Sequence, residues 1–378
     1  MHDAVAFVAA PYGFGPSSKA ISISSHLPPS VSRVFFSDGP ALDLAACSGA
    51  FHHCRQLSFS SSTAMAPVKL TDFRVIVFVN STRFITAPPN NEQTIVFVDT
   101  LAWLRKSIPT FANSVDAFFA QRFFGQQFLE ELSSTSSFHS VGAIVSKSIS
   151  TASRERGNKN LKDQRTPLVH CGGLFSPAMV KGADISFVQN LLEFLKATSI
   201  DCRVILPRYL IEQFACHGLE KITLTECSTN TVHNHIAGTS YVLTTSGIEF
   251  TYEAMIIGAP VIFLPPFNAT QYLQLRHHKA VTPSAVSFDL NYGSADIDPL
   301  SLDHATKRLQ FDGMNGRWES QFQAIAQYLG CRSQALSPNH LLNLRRVQSE
   351  SVRKVGWDGA ETIAAYIVDQ FCNGRASS

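Results

Sequence analysis

Residues 241–274 limit the folds open to this chain more than any other stretch. They read YVLTTSGIEFTYEAMIIGAPVIFLPPFNATQYLQ, in which an apolar run precedes a Ser246-Gly247 turn, a helical segment with Glu253, a Gly-Ala-Pro break and a second apolar run. Strand, turn, helix and strand in this order are typical of a parallel α/β sheet, where the helix N-terminus directs backbone N–H groups at a ligand. Phosphate is the usual ligand, and an acidic side chain on the helix can accept hydrogen bonds from ribose hydroxyls. The stretch therefore predicts a nucleotide-type ligand whose ribose binds Glu253.

Short apolar runs alternate with helical or loop segments along the whole chain, which at 378 residues suits two domains better than one core. Runs rich in Val, Ile and Phe indicate strands that are covered on both faces of a parallel sheet. The fold class predicted is α/β, with two doubly wound Rossmann-like domains that face each other across a cleft. The predicted strands are Ala4–Ala9, Arg33–Ser37, Arg74–Val79, Thr94–Val98, Ala117–Ala120, Val141–Val145, Leu168–Cys171, Arg203–Leu206, Lys221–Leu224, Tyr241–Thr244 and Val261–Leu264; the clearest predicted helices are Asp184–Thr198 and Gly359–Phe371.

A polar, basic run marks the boundary between the two predicted domains. Residues 147–166 have few bulky apolar side chains and are interpreted as a domain linker or mobile loop. Residues 51–72 show no clear period and are interpreted as a surface excursion. The predicted division is a first domain over 1–150, a linker over 151–166, a second domain over 167–355 and a C-terminal segment over 356–378.

Composition excludes several classes of protein. The net charge is only +2 and no Lys/Arg run is dense, which argues against nucleic acid as a partner. No segment approaches the roughly 20 apolar residues of a membrane span, and the first apolar run leads directly into a turn, as a strand does and a signal peptide does not. The 8 cysteines are scattered and predict free thiols in a reducing, cytoplasmic setting. The histidines show no metal-ligand spacing, so no metal is predicted. The chain is expected to be a monomer or homodimer.

In each domain a glycine turn follows the first predicted strand. Gly13, Phe14 and Gly15 lie after the first, and Gly172 and Gly173 after the second. Glycine lets the backbone approach a ligand at the carboxyl edge of a sheet, although either turn alone is equally compatible with an ordinary strand–helix connection. Together they predict that a pyrophosphate passes between Gly173 and the helix that follows the Ser246-Gly247 turn.

Two aspartates are candidate catalytic bases because each ends an apolar strand. Asp99 closes TIVFVD and Asp38 closes VFFSD. A carboxylate in such a position must face a polar crevice or find a partner, since burying it unpaired is costly. Asp99 ranks ahead of Asp38, which is followed by glycine and also suits a plain turn.

The stretch 244–271 carries a family pattern of strand, glycine turn, Glu-Ala pair on a helix, Gly-x-Pro, apolar strand ending in Pro, and a later Gln. The matching residues are Ser246, Gly247, Glu253, Ala254, Gly258, Pro260, Pro265 and Gln271. On these residues the chain resembles the GT-B-fold glycosyltransferases, and is similar to the macrolide and plant-type nucleotide-sugar enzymes and to the peptidoglycan N-acetylglucosaminyltransferase. Weaker similarity lies in Val141–Ile144, Cys171–Leu174 and Asp358–Ala360.

This resemblance implies a metal-independent transferase that uses a UDP- or TDP-sugar as co-substrate and no other cofactor. The second domain would bind the donor and the first a small-molecule acceptor. Glu253 would hold the ribose, Gln271 would reach the donor sugar, and Thr270 stands where the family has an aspartate. Gly172 and Gly173, with Ser246 and Gly247, would surround the diphosphate.

The chain also departs from the family pattern. Many members carry a catalytic histidine in the turn after the first strand, where this chain has Pro16. The Asp-x-x-x-Trp context that orients this histidine in plant-type enzymes is present as Asp99 and Trp103, so Asp99 is expected to act directly as the base. Two alternatives stay open: a catalytically degenerate nucleotide-sugar-binding partner protein, and a nucleotide-sugar epimerase. A plain α/β protein with purely structural turns fits the spacing of the pattern less well.

Overall fold

The computed structural model describes residues 2–11, 13–59, 70–85, 93–105, 107–124, 137–157, 166–172, 174–175, 179–214, 219–226, 229–291, 302–330 and 337–373. The chain forms two compact units, one of Met1–Lys147 with Lys354–Ser378 and the other of Ser148–Arg353.

Strands and helices alternate along the second unit and at the start of the first; later strands of the first unit have no α-helix between them in the described part of the chain. The strands are β1 (His2–Ala9), β2 (Ser32–Ser37), β3 (His53–Gln56), β4 (Phe73–Val79), β5 (Thr94–Asp99), β6 (Ala117–Gln121), β7 (Phe138–Val141), β8 (Leu168–His170), β9 (Cys202–Ile205), β10 (Ile222–Thr225), β11 (Val242–Thr244) and β12 (Val261–Phe263). The helices are α1 (Gly15–His26), α2 (Gly39–Ser48), α3 (Ile149–Gly157), α4 (Ala183–Thr198), α5 (Arg208–Phe214), α6 (Thr229–Gly238), α7 (Ile248–Ile257), α8 (Ala269–Val281), α9 (Leu302–Asp312), α10 (Trp318–Gly330), α11 (Pro338–Val355) and α12 (Gly359–Asn373). The sequence predictions for α4 and α12 agree with these bounds to within two residues.

The first unit is built on a parallel sheet of seven strands in the order β3-β2-β1-β4-β5-β6-β7. Successive residues of its central strands alternate between two apolar clusters, so Phe7 packs on one face and Val8 on the other. Helix α12 covers the first of these faces with Ile363 and Ile367, and each fully buried side chain of this kind contributes about 1.5–3 kcal/mol. This two-sided burial explains why the strands read as nearly continuous apolar runs.

The second unit has a parallel sheet of five strands in the order β10-β9-β8-β11-β12. On one side Phe187 of α4 meets Trp318 of α10 edge-on, with ring centroids 5.1 Å apart. In each unit the chain winds outward in one direction and then returns to wind in the other, with the switch between β1 and β4 in the first sheet and between β8 and β11 in the second. The predicted α/β class with two doubly wound sheets is confirmed, and ligands of such sheets bind at the carboxyl edge of the switch point.

Three local predictions differ from the structure. The predicted strand Val141–Val145 is wrong: strand β7 covers Phe138–Val141. The backbone beyond Val141 pairs with the C-terminal segment instead, because Ala143 N–H donates to Gly356 O at 2.9 Å and Gly359 N–H donates to Ala143 O at 3.2 Å. Strand β3 lies within the predicted surface excursion over 51–72; it is a polar edge strand, and residues 60–69 of that stretch lie outside the described part.

The third difference is helix α3, which lies within the run 147–166 that the sequence indicates as a linker or mobile loop. It belongs to the second unit and packs against α6 and α7. Ile149, Ala152 and Arg156 are its buried residues, at the three- and four-residue spacing of one helix face. Because one of the three buried positions is an arginine, hydrophobic periodicity does not predict this face of the helix.

The edge strand β12 is closed by a side chain. Gln348 of α11 accepts from Val261 N–H and donates to Val261 O, both at 2.8 Å, so its amide takes the place of a neighbouring strand. We expect Gln348→Leu to lower the free energy of unfolding by about 1–3 kcal/mol, because the buried backbone N–H and C=O of Val261 both lose their hydrogen-bond partner. Urea denaturation measures this. The control Gln323→Leu removes an exposed glutamine of α10 and should change stability little; equal stability of both variants would contradict the closing role.

Candidate functional site

The turn between β11 and α7 leaves a helix N-terminus without a side-chain cap. Strand β11 ends at Thr244, and Gly247 is the N-cap of α7; no side chain in the described part of the chain caps it. Gly247 N–H itself bonds to Thr245 O at 2.8 Å. The first backbone N–H groups of a helix have no partner within the helix and carry its positive dipole end, so this terminus can receive an anion.

The neighbouring turn, between β12 and α8, is tied to this one through Gln271. Ser246 Oγ donates to Gln271 O at 2.6 Å, which fixes the two turns together. The Gln271 side chain accepts from Phe267 N–H at 2.7 Å and contacts Thr245 Oγ1 through Nε2 at 3.4 Å. Ser246 and Gln271 therefore hold the two turns together. For Gln271 to contact a donor sugar as predicted, its Nε2 must leave Thr245 Oγ1 and donate to the sugar instead.

The other predicted donor residues lie on the same edge. Thr270 is half-buried in the first turn of α8, whose N-cap Asn268 accepts from Gln271 N–H. Gly172 follows β8, the strand beside β11 at the switch point. Gly173 lies outside the described residues.

His170 is a residue at this edge that no sequence motif indicates. It ends β8, and its ring stacks on Phe250 of α7 with centroids 3.6 Å apart and planes at 8°. Gly172 N–H donates to His170 Nδ1 at 3.3 Å, which assigns the hydrogen of the neutral ring to Nε2. Burial lowers the pKa of His170 to about 3, so the ring is neutral at physiological pH. A Cβ on Gly172 would lie 2.4 Å from the His170 ring, which explains the glycine there. The available signal was a polar residue closing an apolar strand.

Glu253 lies inside the second unit, paired with a histidine. Its side chain is only 4% exposed, and Oε1 is 3.1 Å from Nε2 of His233 on α6, with an angle short of a well-aligned hydrogen bond. His233 Nδ1 is 2.8 Å from Ser148 Oγ. Burial acts to lower the pKa of His233, but Glu253 and then Glu249 outweigh it and the pKa is raised. The contact joins residues twenty positions apart on different helices, which sequence periodicity does not reveal.

The candidate residues of the first unit lie at the carboxyl ends of β1, β2 and β5. Gly13 has φ +63°, a left-handed conformation that suits glycine, and Phe14 and Gly15 begin α1. Asp38 caps α2: its Oδ1 accepts from Gly39 N–H at 2.9 Å and from Gln56 Nε2 at 3.0 Å. These contacts give Asp38 the geometry of a helix cap, a structural role that accounts for its position, and its role as a base stays a prediction.

Asp99 is almost fully buried and both of its oxygens are engaged. It is 1% exposed; Oδ1 accepts from Leu101 N–H at 2.9 Å, and Oδ2 from Arg105 Nε at 2.5 Å. Burial raises the pKa of Asp99, while the charge and hydrogen bond of Arg105 and the Leu101 N–H act to lower it. Trp103 of the Asp-x-x-x-Trp motif stacks on Phe123 at 4.3 Å. A base at Asp99 must therefore share its carboxylate with Arg105.

The described residues include no cluster of three or more metal-ligating side chains, and no described helix is long and apolar enough to cross a membrane.

Comparison with known proteins bears on the fold. No protein-family model matches the sequence, and no curated protein matches it. Among solved structures, Phytolacca americana UGT2 complexed with UDP-2fluoro-glucose and pterostilbene has a TM-score of 0.53 at 10% identity, covering 98% of this chain and 100% of that one. Os79 from O. sativa in complex with UDP has a TM-score of 0.56 at 10% identity, covering 97% and 100%. The MnaA–UDP co-structure from S. aureus has a TM-score of 0.52 at 12% identity, covering 97% and 96%.

These similarities extend over nearly the whole chain and define its fold. The protein has the GT-B fold, with two Rossmann-like sheets. At identities of 10–12% these similarities establish the fold alone and not the reaction.

Proposed function

We propose that this protein is a glycosyltransferase that moves a sugar from a UDP- or TDP-sugar to a small-molecule acceptor. One observation carries the proposal. The Gly172 turn and the uncapped N-terminus of α7 follow the two strands that meet at the β8–β11 switch point of the second sheet, and Glu253 lies farther along the same helix. The similar structures of UGT2, MnaA and Os79 are complexes with UDP or a UDP-sugar, which supports the choice of a nucleoside diphosphate.

The donor would be held by the second unit. The N–H groups that begin α7, with the dipole of that helix, would bind the diphosphate and stabilise its charge as it departs. The neutral His170 offers a further N–H at the same edge. Glu253 would accept hydrogen bonds from the ribose hydroxyls, and Thr270 and Gln271 would lie toward the sugar.

The acceptor would bind the first unit, and transfer would be a direct displacement that needs no metal. The acceptor hydroxyl forms the new bond to the anomeric carbon while the bond from that carbon to the diphosphate breaks. Its proton passes to Asp99, and the electron pair of the broken bond leaves with the diphosphate. Glycines 13 and 15 would let the acceptor approach the backbone at the end of β1.

A thermal-shift panel of UDP, TDP, GDP and their sugars tests the donor half. We expect a uridine or thymidine diphosphate to raise Tm by about 2–5 °C at saturating concentration and GDP to have little effect. Release of UDP from UDP-sugars in the presence of phenolic and alcoholic acceptors tests the transfer. Binding without release would identify a catalytically degenerate binding protein, and epimer formation without acceptor an epimerase. The absence of any nucleotide-induced shift would contradict the proposal.

Glu253 provides a residue-level test of the donor site. We expect Glu253→Ala to weaken UDP binding by about 1–3 kcal/mol, because the ribose hydroxyls lose their acceptor. Isothermal titration calorimetry measures the affinity. Glu249→Ala is the matched control: it removes a carboxylate from the first turn of the same helix, near the diphosphate, and should leave affinity unchanged or slightly higher. Equal affinity of the wild type and Glu253→Ala would remove the ribose role.

A further inference from the structure

We infer that His233, held by Ser148, is a positioning residue that orients Glu253 toward the ribose of the donor. The inference rests on the proposed function and adds two residues to its site. Each of the three comes from a different element: Ser148 directly precedes α3, His233 lies on α6 and Glu253 on α7.

The first step concerns how a buried carboxylate is held. Glu253 and His233 are 3% and 1% exposed, and isolated charges at such depth are costly unless paired. Oε1 of Glu253 is the enclosed oxygen that faces His233 Nε2. Within the described part of the chain, no hydrogen bond involves Oε2. Oε1 therefore faces the histidine, and Oε2 is the oxygen that would accept from the ribose hydroxyls.

The second step concerns how the imidazole is held. Ser148 Oγ lies 2.8 Å from Nδ1 and can donate to a neutral ring or accept from a protonated one, so it fixes the ring in either state. When the serine donates to Nδ1 of the neutral ring, and also when the ring is protonated, Nε2 carries a hydrogen and lies 3.1 Å from Glu253 Oε1. The charges of Glu253 and Glu249 on α7 act to raise the pKa of His233, and Arg156 of α3 donates to the carbonyl of Ile236, farther along α6.

A purely structural pair would make a different prediction. If His233 and Glu253 only join α6 to α7, their loss changes the stability of the fold and every nucleotide is affected alike. If His233 positions Glu253, its loss acts on ligands that carry ribose hydroxyls and spares those that lack them. The ratio of affinities for UDP and 2′,3′-dideoxy-UDP separates the two roles.

The experiment is calorimetry of both nucleotides with the full chain and four variants. We expect His233→Phe to weaken UDP binding about 10-fold while changing dideoxy-UDP binding less than about 2-fold. His233→Gln, which keeps an N–H donor at the reach of Nε2, should restore most of the preference for UDP. Ser148→Ala, at a half-buried position, should reduce the preference about 3-fold. His235→Phe is the matched control, because His235 lies on the same helix but contacts Arg203, and it should behave as wild type.

Each outcome is decisive. An unchanged UDP preference in His233→Phe and Ser148→Ala, or failure of His233→Gln to restore it, overturns the positioning role while leaving the ribose role of Glu253 intact. Should His233→Phe fail to fold, the Ser148→Ala and His233→Gln results decide alone. A wild-type protein that binds UDP no better than dideoxy-UDP removes the ribose role itself, and the inference with it.

Discussion

Replacing Arg156 by methionine is expected to lower the free energy of unfolding of the second unit by about 3–5 kcal/mol. Arg156 is 1% exposed, and its guanidinium donates to Gly258 O at 2.9 Å, to Ile236 O at 3.0 Å and to Thr239 O at 2.7 Å. These carbonyls lie at the C-terminal ends of α6 and α7, where helices leave acceptors unpaired. Each buried acceptor stranded by the substitution costs about 1–3 kcal/mol, offset in part because the cation is no longer desolvated.

Arg156 stays protonated although it is buried. Burial, followed by the nearby charge of Arg345, lowers its pKa to about 10, so it remains a cation at neutral pH. Urea denaturation measures the loss of stability. Arg154→Met removes an exposed arginine of the same helix and should cost less than about 0.5 kcal/mol. An Arg156→Met protein within about 1 kcal/mol of the wild type would show that the three carbonyls find other partners.

Replacing Asp99 by asparagine is expected to lower turnover by roughly 100-fold while leaving UDP affinity unchanged. Asparagine keeps the shape of the side chain and an acceptor for the Leu101 N–H, but it cannot take a proton from the acceptor hydroxyl. Burial raises the pKa of Asp99 and so makes it a stronger base than an exposed carboxylate. Single-turnover kinetics with a saturating donor, paired with calorimetry of UDP, separates the two effects.

Two further variants sharpen this test. Arg105 acts to lower the pKa of Asp99, so Arg105→Gln should raise that pKa and move the acid limb of the rate profile to higher pH. Asp38→Asn preserves a residue able to cap α2 and should leave turnover unchanged. Near-normal turnover of Asp99→Asn would transfer the base role to another group or to the acceptor itself.

The sequence was most informative where burial is two-sided. Runs of Val, Ile and Phe predicted the central strands of both sheets because both faces of such a strand are covered and mostly apolar. Strand β3 escaped because HCRQ is a polar edge strand with no apolar alternation. Helix α3 escaped because Arg156 fills a buried position of its face, which is visible only once the carbonyls it bonds are in place.

Within the site, local patterns predicted location better than partners. The Ser246-Gly247 turn and Glu253 follow from a strand–turn–helix pattern that is contiguous in sequence. The pairing of Glu253 with His233 depends on how α6 packs against α7, and the Asp99–Arg105 pair depends on how the loop after β5 returns. His170 could have been marked by its place at the end of an apolar strand, although its stacking on Phe250 could not.

The most direct test of the donor site is a calorimetric cycle that combines UDP and 2′,3′-dideoxy-UDP with the wild type and Glu253→Ala. Removing the hydroxyls from the ligand controls for any change that the substitution causes in the fold. The proposed ribose contact predicts that the wild type prefers UDP by about 1–3 kcal/mol and that this preference disappears in Glu253→Ala. Equal preference in the two proteins, or no binding of UDP to the wild type, would contradict it.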